Sequence, residues 1–139
     1  MDKALNYLAL ARKAGRIELG EEPVGGAARA QQARLVVVAQ DASDHTWRRA
    51  KSFVAGTGQS CVKIPFSKEE MGMAVGRSSL AIAAFTDPAL ALAFLKALPS
   101  PDATVLEDLE KRTTRIRQRQ AEEKAHQRNK KLGRSKRKK

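Results

Sequence analysis

The chain has 139 residues, which is enough for one domain of ordinary size with an extension. Its single cysteine, Cys61, excludes an internal disulfide. The longest apolar run, residues 88–98, is interrupted by Lys96 and is too short to cross a bilayer. Because the first residues also make a poor signal peptide, we expect a cytoplasmic protein.

The formal net charge of +12 is unevenly distributed. Residues 1–99 carry 13 Lys and Arg against 9 Asp and Glu, a net of +4, whereas residues 100–139 carry 14 against 6, a net of +8. We therefore predict a domain over residues 1–99 and a basic C-terminal extension over residues 100–139. Such a charge balance indicates a polyanionic partner, most often nucleic acid. The extension lacks the apolar anchors of a segment that lies on a membrane.

The N-terminal elements alternate between helix and strand. Residues 2–14 have the apolar spacing of a helix, and residues 16–19 predict a short strand. A second helix is predicted over residues 22–32, with Pro23 at its first position, where the missing N–H is harmless. The run of β-branched residues within 33–41 predicts a strand that is buried on both faces.

The middle of the chain repeats this alternation. A third helix is predicted from a cap at Ser43 or Asp44 to about Val54. Residues 60–66 predict a strand, which we place near an edge of the sheet because Pro65 has no N–H to donate.

The last elements of the domain carry clear start signals. The residues SKEE, 67–70, match a capping box that begins a fourth helix. Residues 80–87 predict another buried strand, and Thr86 or Asp87 caps a helix that begins at Pro88. Helices and strands in alternation, joined by short loops, predict an α/β fold, a three-layer α/β/α sandwich around a small mixed sheet.

The extension changes in character along its length. Residues 102–118 predict a helix with an intermittent apolar stripe, and the sequence leaves open whether this helix docks on the domain. Apolar residues almost vanish beyond Ile116, so we expect the end of the extension to be disordered when free. The basic residues that we expect to contact phosphates in this tail are Arg128, Lys130, Lys131, Arg134, Lys136, Arg137, Lys138 and Lys139.

The sequence contains little evidence for a catalytic site or a metal site. His45 and His126 are far apart in the sequence and Cys61 lies alone in an apolar strand, so we identify no catalytic residue, no metal site and no cofactor. The segment GEEPVGG, residues 20–26, is neither a Walker A loop nor a dinucleotide fingerprint. We therefore expect a protein that is not an enzyme and has no small-molecule substrate.

Four segments, in this order and at these separations, resemble the kink-turn-binding ribosomal protein family of the L-seven-Ae type, and within it the small bacterial members. The segments are LGEEP, ARLVVVAQDAS, EEMGMAVG and LAIAAFTD. The resemblance covers roughly residues 4–98, whereas the basic extension has no counterpart in the compact members. It implies an α/β/α sandwich that binds RNA without catalysis, as a ribonucleoprotein component of translation whose partner is rRNA or another structured RNA.

The resemblance also implies two RNA-binding surfaces. Family members insert the start of the second helix into the widened major groove of a kinked RNA. Carried over, the first surface is Gly20, Glu21, Glu22, Pro23, Val24, Gly25 and Gly26, with Arg29 one turn on. A second loop of the family packs on flipped-out bases, and its residues here are Arg77, Ser78, Ser79 and Leu80.

The first surface departs from the family pattern. Archaeal members have Asn-Glu-x-x-Lys, where this chain has Glu22, Pro23 and Gly26, so the lysine that meets phosphate or guanine is missing. Gly25 and Gly26 either permit close approach of RNA backbone to the helix or let the helix pack against a neighbour.

Basic residues elsewhere in the domain have simpler interpretations. Arg12, Lys13 and Arg16 end the first helix near the first surface, where they complement the negative end of the helix dipole. Arg49 and the other basic residues of the third helix are interpreted as a solvated face.

These observations together indicate a non-enzymatic RNA-binding protein, associated with the ribosome, that binds a structured, kink-turn-like RNA. One alternative is a protein–protein interaction module, which the missing lysine favours and which predicts no binding of kinked RNA. Another is a nonspecific nucleic-acid-binding protein that acts through its basic tail and binds duplex DNA and structured RNA alike.

Overall fold

The structure is a computed structural model that describes residues 2–137, with side-chain surroundings described for residues 2–129. All of the elements predicted for the domain are present, with bounds that differ by a few residues at most from those expected. In chain order they are α1 Lys3–Ala14, β1 Ile17–Leu19, α2 Glu21–Arg29, β2 Leu35–Ala39, α3 Asp44–Val54, β3 Cys61–Ile64, α4 Lys68–Ala74, β4 Ile82–Phe85, α5 Pro88–Ala97 and α6 Ala103–Arg137.

The four strands form one mixed sheet in the order β1-β4-β2-β3. β4 is antiparallel to β1 and to β2, whereas β2 and β3 are parallel. All five residues of β2 are buried, as the apolar run predicts, and β3 lies at an edge, as Pro65 predicts. The mixed sheet and its edge strand confirm the predicted fold class.

The strand directions give the sheet two distinct ends. One end holds the last residues of β1, β2 and β3 and the first residue of β4, which are Leu19, Ala39, Ile64 and Ile82. We call it the α2 end, because α2 begins there. The opposite end holds Ile17, Leu35, Cys61 and Phe85, and we call it the tail end.

Helices cover both faces of the sheet. On one face, α1, α4 and α5 pack over Leu35, Val37 and Phe85, and on the other, α2 and α3 pack over Val36 and Val38. Alternate residues of β2 therefore belong to two separate apolar clusters, as the two-residue period of a strand requires. This arrangement confirms the three-layer α/β/α sandwich.

The second helix is displaced from its expected bounds. It begins at Glu21 and ends at Arg29, so Pro23 occupies its third position rather than its first. Pro is tolerated there because the first N–H groups of a helix have no intrahelical partner. Gly20 precedes the helix with φ +96°, a conformation that favours glycine, and it supplies no side-chain cap.

The first part of α6 docks on the domain. Leu109 is 2% exposed and belongs to the apolar cluster between the sheet and the helices α1, α4 and α5. Val105 and Leu106 pack against the same cluster. Thr113 is also 2% exposed and donates its hydroxyl to the Leu109 carbonyl at 2.7 Å. The structure therefore answers the question of docking, because the side chains that form the apolar stripe of α6 lie against the domain.

The rest of α6 projects beyond this contact. Residues 117–129 are all exposed, yet the helix continues to Arg137, well past the expected helical segment. Its composition explains the continuation, because Arg, Gln, Glu, Ala and Lys are strong helix formers and no proline interrupts them. The division of the chain at residue 99 stays a prediction, and Lys138 and Lys139 lie outside the described residues. Among the helices of residues 2–137, none combines the length and apolar character of a membrane span.

Candidate nucleic-acid interface

The two surfaces predicted from the resemblance lie side by side at the α2 end. The Gly20 N–H donates to the Ile82 carbonyl at 3.0 Å, which ties the start of α2 to the start of β4. The Ala39 N–H donates to the Ala81 carbonyl at 2.9 Å, and the Leu80 N–H donates to the Lys68 carbonyl at 2.9 Å. The loop before β4 is therefore held between α2, the end of β2 and the start of α4.

Gly72 shapes this loop, although it was not among the residues predicted for the interface. A Cβ at residue 72 would lie 2.7 Å from the Ser79 nitrogen and 2.8 Å from the Arg77 carbonyl oxygen, so the loop rests directly on the backbone of α4. The Arg77 N–H also donates to the Gly72 carbonyl at 2.8 Å. The available signal was a glycine inside a helical pattern, which often marks close approach of another backbone.

Leu80 differs from the other members of the second surface. Arg77, Ser78 and Ser79 are exposed, whereas Leu80 is 4% exposed and belongs to the core. The side chain of Leu80 therefore anchors the loop to the core rather than presenting an apolar contact to a base. Leu80 begins the apolar run that leads into β4, which accounts for its burial.

The two glycines of α2 have different surroundings. A Cβ at Gly25 would lie 3.0 Å from Cε1 of Phe53, so this glycine lets α2 pack closely on α3. A Cβ at Gly26 would have only Nη2 of Arg29 nearby, at 3.9 Å. The packing explanation therefore applies to Gly25, and Gly26 leaves open space on the surface of the helix.

An open cavity of about 630 Å³ lies beside these glycines. It is lined by Glu21, Glu22, Pro23, Gly25, Arg29, Arg49 and Phe53. Glu22 and Arg29 are exposed, and Glu21 is half-buried, so groups of both charges are accessible to a ligand.

Arg49 lines this open cavity while its side chain stays exposed, as the interpretation of α3 as a solvated face expects. Its Nε lies 3.8 Å from Oε2 of Glu21, and its guanidinium carbon lies 4.9 Å from the centre of the Phe53 ring. The Thr46 hydroxyl donates to Oε1 of the same carboxylate at 3.4 Å. Two arginines thus flank the part of α2 from which the family lysine is missing.

The helices that follow β1, β2 and β3 begin at the α2 end, and their first turns are acidic. The caps of α3 and α4 are Ser43 and Ser67, and Ser67 forms the predicted capping box. The acidic residues of the first turns of α2, α3 and α4 are Glu21, Glu22, Asp44, Glu69 and Glu70. Carboxylates accept hydrogen bonds and donate none, so this end suits the N–H groups of base edges better than a bare phosphate backbone.

The basic end of α1 lies elsewhere, and the expectation that it is near the first surface is wrong. Arg12, Lys13 and Arg16 are exposed at the tail end, because the whole of β1 separates them from α2. The Thr86 N–H donates to the Arg16 carbonyl at 3.0 Å, which fixes this position.

The predicted tail contacts are only partly described. Arg128 is exposed on α6. The side-chain surroundings of Lys130, Lys131, Arg134, Lys136 and Arg137 lie outside the described residues, as do Lys138 and Lys139 altogether. The phosphate contacts of the tail therefore stay a prediction.

Cys61 is half-buried at the start of β3. Burial raises the pKa of its thiol, and the positive charge of Lys51 opposes this effect only in part. The thiol is therefore protonated and weakly nucleophilic near neutral pH. Within the side chains that the structure describes, no group of three or more His, Cys, Asp or Glu could hold a metal ion.

Comparison with known proteins supports the fold. A solved structure of a protein of unknown function from Bacillus halodurans has a TM-score of 0.66 and 22% identity, covering 72% of this chain and all of that one. The Giardia lamblia 15.5 kD RNA-binding protein has a TM-score of 0.56 and 21% identity, covering 76% of this chain and 83% of that one. No family model matches the chain.

A curated relative gives a sequence match. The RNA-binding protein YlxQ of Enterococcus faecium is 33% identical over 75 residues, which cover 54% of this chain and 72% of the relative. The conserved fold and this match agree with the order of segments in the sequence. The chain belongs to the family of YlxQ, which is the L-seven-Ae type.

Proposed function

We propose that this chain binds a kinked RNA helix through the α2 end of its sheet. The single observation that carries the proposal is the hydrogen bond from Gly20 to Ile82, since it joins the start of α2 and the loop of Arg77–Ser79 into one face. The name of the relative YlxQ supports RNA as the partner. The chain is not an enzyme, in keeping with its family.

The chemistry of the cavity supports recognition of bases. The carboxylates of Glu21 and Glu22 can accept hydrogen bonds from the amino and imino groups of unpaired or sheared bases. Arg29 and Arg49 can donate to phosphate oxygens in planar, bidentate geometry. Base contacts of this kind set specificity, whereas phosphate contacts position the protein.

The two arginines also compensate for the missing lysine. The guanidinium of Arg29 lies within 3.9 Å of the position that a side chain at Gly26 would begin to fill. Arg49 approaches the same cavity from α3, where it is partly held by Glu21. The positive charge that family members place on α2 is thus supplied here from two helices.

We further propose that the RNA is rRNA or another structured RNA, and that the chain acts in the cytoplasm in association with the ribosome. The family membership and the strongly basic extension support this assignment. Basic segments raise affinity for RNA without adding sequence information.

A second candidate is nonspecific binding through the basic extension alone. It is favoured by the acidic first turns at the α2 end, which repel a bare phosphate backbone. This candidate predicts equal affinity for kinked RNA and for a straight duplex.

Binding of the full chain to a kink-turn RNA and to a straight RNA duplex of equal length tests the proposal. The full chain is needed because Leu109 belongs to the core. At about 150 mM salt, where screening weakens long-range attraction, we expect clear preference for the kinked RNA. Equal affinity for the two RNAs would overturn the proposal in favour of nonspecific binding.

Variants that each remove one positive charge show which residues produce the preference for kinked RNA. Arg29→Gln and Arg77→Gln should each lower affinity for the kinked RNA by about tenfold, because each removes a charge-assisted contact. Lys96→Gln, which removes the same charge from an exposed residue of α5, should leave the preference intact.

A further inference from the structure

A second basic surface lies at the tail end of the sheet. The Arg34 N–H donates to the Phe85 carbonyl at 2.8 Å, and the Thr86 N–H donates to the Arg16 carbonyl at 3.0 Å. Arg16 and Arg34 therefore flank the end of β4 on its two sides. Neighbouring strands are about 4.8 Å apart. The backbones of Arg16 and Arg34, which are two strand spacings apart, are therefore roughly 10 Å from each other.

Further positive charge surrounds this pair. Arg12 and Lys13 are exposed in the last turn of α1, directly before Arg16. Two acidic side chains at the same end are already engaged. Asp87 accepts from the Leu90 N–H at 2.9 Å as the cap of α5, and Asp108 lies 3.2 Å from Nη2 of Arg112. Glu18 is exposed two residues after Arg16 and offsets one charge, whereas Arg12, Lys13 and Arg16 take part in none of the ion pairs described for residues 2–129. The net positive charge of the α1 terminus is therefore available to a ligand.

The projecting part of α6 leaves the domain at this end. The helix starts near the α2 end, where Asp102 lines a groove with Pro65. Asp108 then accepts from the Ser60 hydroxyl at 3.5 Å. Farther on, Thr113 and Ile116 line a small cavity with Ala33, Arg34 and Pro88, all at the tail end.

The exposed residues that follow add net positive charge beyond this end, because four of residues 117–129 are basic and only Glu122 and Glu123 are acidic. Arg117 and Arg119 lie on the first turn beyond Ile116, and Arg128 lies farther along the helix. The described helix extends about 30 Å past Ile116 at 1.5 Å per residue. The helix thus carries basic side chains away from the α2 end rather than towards it.

We propose that the tail-end surface, formed by Arg12, Lys13, Arg16, Arg117 and Arg119, binds the phosphate backbone of a second RNA helix. The chain then bridges two RNA segments, one on each end of the sheet. The bridging rests on the proposed function for the first segment, whereas phosphate binding at the tail end stands on its own charge and exposure. The side chain of Arg34 is not part of this surface, because it is half-buried and its Nε is buried in the cavity beside Thr113 and Ile116.

An RNA helix is the partner that the chemistry fits. The surface combines guanidinium and ammonium groups, which bind phosphate oxygens in sequence-independent contacts, and it has no aromatic side chain among its members. A strand length of roughly 15 Å separates this surface from the α2 end, and simultaneous binding of two separate RNAs distinguishes a second segment from a continuation of the first.

Energy transfer between two labelled RNAs tests the proposal on the full chain. A kink-turn RNA carries the donor dye and a straight RNA duplex carries the acceptor. The test variant is Arg12→Gln/Lys13→Gln/Arg16→Gln, and the matched control is Lys3→Gln/Lys63→Gln/Lys96→Gln, which removes the same charge from exposed residues away from the tail end. A second variant, Arg117→Gln/Arg119→Gln, changes only the projecting helix.

The expected result is transfer with the unaltered chain and with the control, and loss of transfer with both tail-end variants. The triple variant should also lower the log–log salt slope for the straight duplex by roughly 0.7–0.9 per lost phosphate contact. Unchanged transfer in the tail-end variants, or displacement of the kinked RNA by the duplex one for one, overturns the proposal.

A different experimental result would show that the proposed function is wrong while the tail-end surface still binds RNA. If the chain shows no preference for kinked RNA while the triple variant still weakens duplex binding, the tail-end surface stands and kink recognition falls. Thermal unfolding of each variant, followed by circular dichroism, confirms that all of the compared chains are folded.

Discussion

The two ends of the sheet differ in charge because of the directions of the helices. At the α2 end, α2, α3 and α4 begin, and their first turns carry Glu and Asp. At the tail end, α1 finishes with Arg12 and Lys13, and Arg16 follows. Acidic residues stabilise the start of a helix and basic residues its end. The topology therefore gathers the acidic first turns of α2, α3 and α4 at one end, among basic residues such as Arg49 and Arg77, and places the wholly basic end of α1 at the other.

This difference corresponds to the two tasks in RNA binding that we propose for the two ends. An end with acidic helix starts, a cavity and two arginines, of which Arg49 is partly held by Glu21, suits the reading of base edges, where repulsion of bare phosphates limits nonspecific contact. A basic end continued by a long helix suits salt-dependent contact with any RNA backbone. Each of the substitutions below changes one end of the sheet. RNA binding at the unchanged end serves as the control.

The largest loss in the free energy of unfolding is expected from Leu109→Ala, because this change truncates the buried side chain through which α6 packs on the domain. Truncation of a fully buried leucine costs about 2–5 kcal/mol. Urea unfolding should show this loss, and binding of a straight duplex should weaken as α6 loses its fixed direction. Leu10→Ala is the control, since Leu10 is 50% exposed and should change stability by about 0.5 kcal/mol or less. Equal costs for the two leucines would show that α6 does not dock through Leu109.

Gly72→Ala acts on the α2 end. The new Cβ would meet the backbone of residues 77–79 at 2.7–2.8 Å, so the loop must shift. Overpacking of this kind costs about 1–3 kcal/mol. We expect lower stability in urea and a smaller preference for kinked RNA, with duplex binding unchanged. If the preference survives, the position of the Arg77–Ser79 loop does not matter for recognition.

Gly26→Lys restores the charge of the family pattern at the α2 end. The open space at Gly26 admits the side chain, and a charge-assisted contact should raise affinity for kinked RNA by about tenfold. The control is Gly26→Gln, which fills the same space without charge. Fluorescence anisotropy measures both. Equal gains for Lys and Gln would exclude a phosphate or base contact by the added ammonium group.

The smallest expected change is a difference in stability between alanine substitutions at the two glycines of α2. Gly26→Ala should stabilise the chain by about 0.5–1 kcal/mol, because alanine is the better helix former and meets no close neighbour. Gly25→Ala places its Cβ 3.0 Å from the Phe53 ring, so we expect the gain to be cancelled or reversed. Thermal unfolding compares the pair. The packing account of Gly25 is wrong if both variants stabilise equally.

Local sequence signals were enough to predict the layers of the fold. Ser67 and Glu70 form the expected capping box, Asp87 caps α5 and Pro88 begins it. The buried run of β2 and the edge position of β3 follow from side-chain type and from Pro65. The start of α2 was displaced because Gly20 caps by backbone conformation and offers no side-chain signal.

The missed features depend on contacts between distant segments. Gly72 and Arg49 belong to the interface because of what α4 and α3 pack against, which a pattern along the chain does not contain. Leu80 was assigned both to the second surface and to the start of a buried strand, and the strand assignment is the one that its position in the core supports. Arg16 precedes Gly20 closely in sequence, but the strand between them spans the sheet and carries them to opposite ends.

Mapping of backbone amide shifts by NMR on the full chain tests the division of tasks most directly. Kink-turn RNA should shift the amides of residues 20–29 and 77–80, and a straight duplex should shift those of residues 12–16 and 117–129. The duplex shifts should fade as salt rises, whereas the kink-turn shifts should persist at higher salt because base contacts depend less on ion release. Shifts of the same residues by both RNAs, with the same salt dependence, would contradict the account.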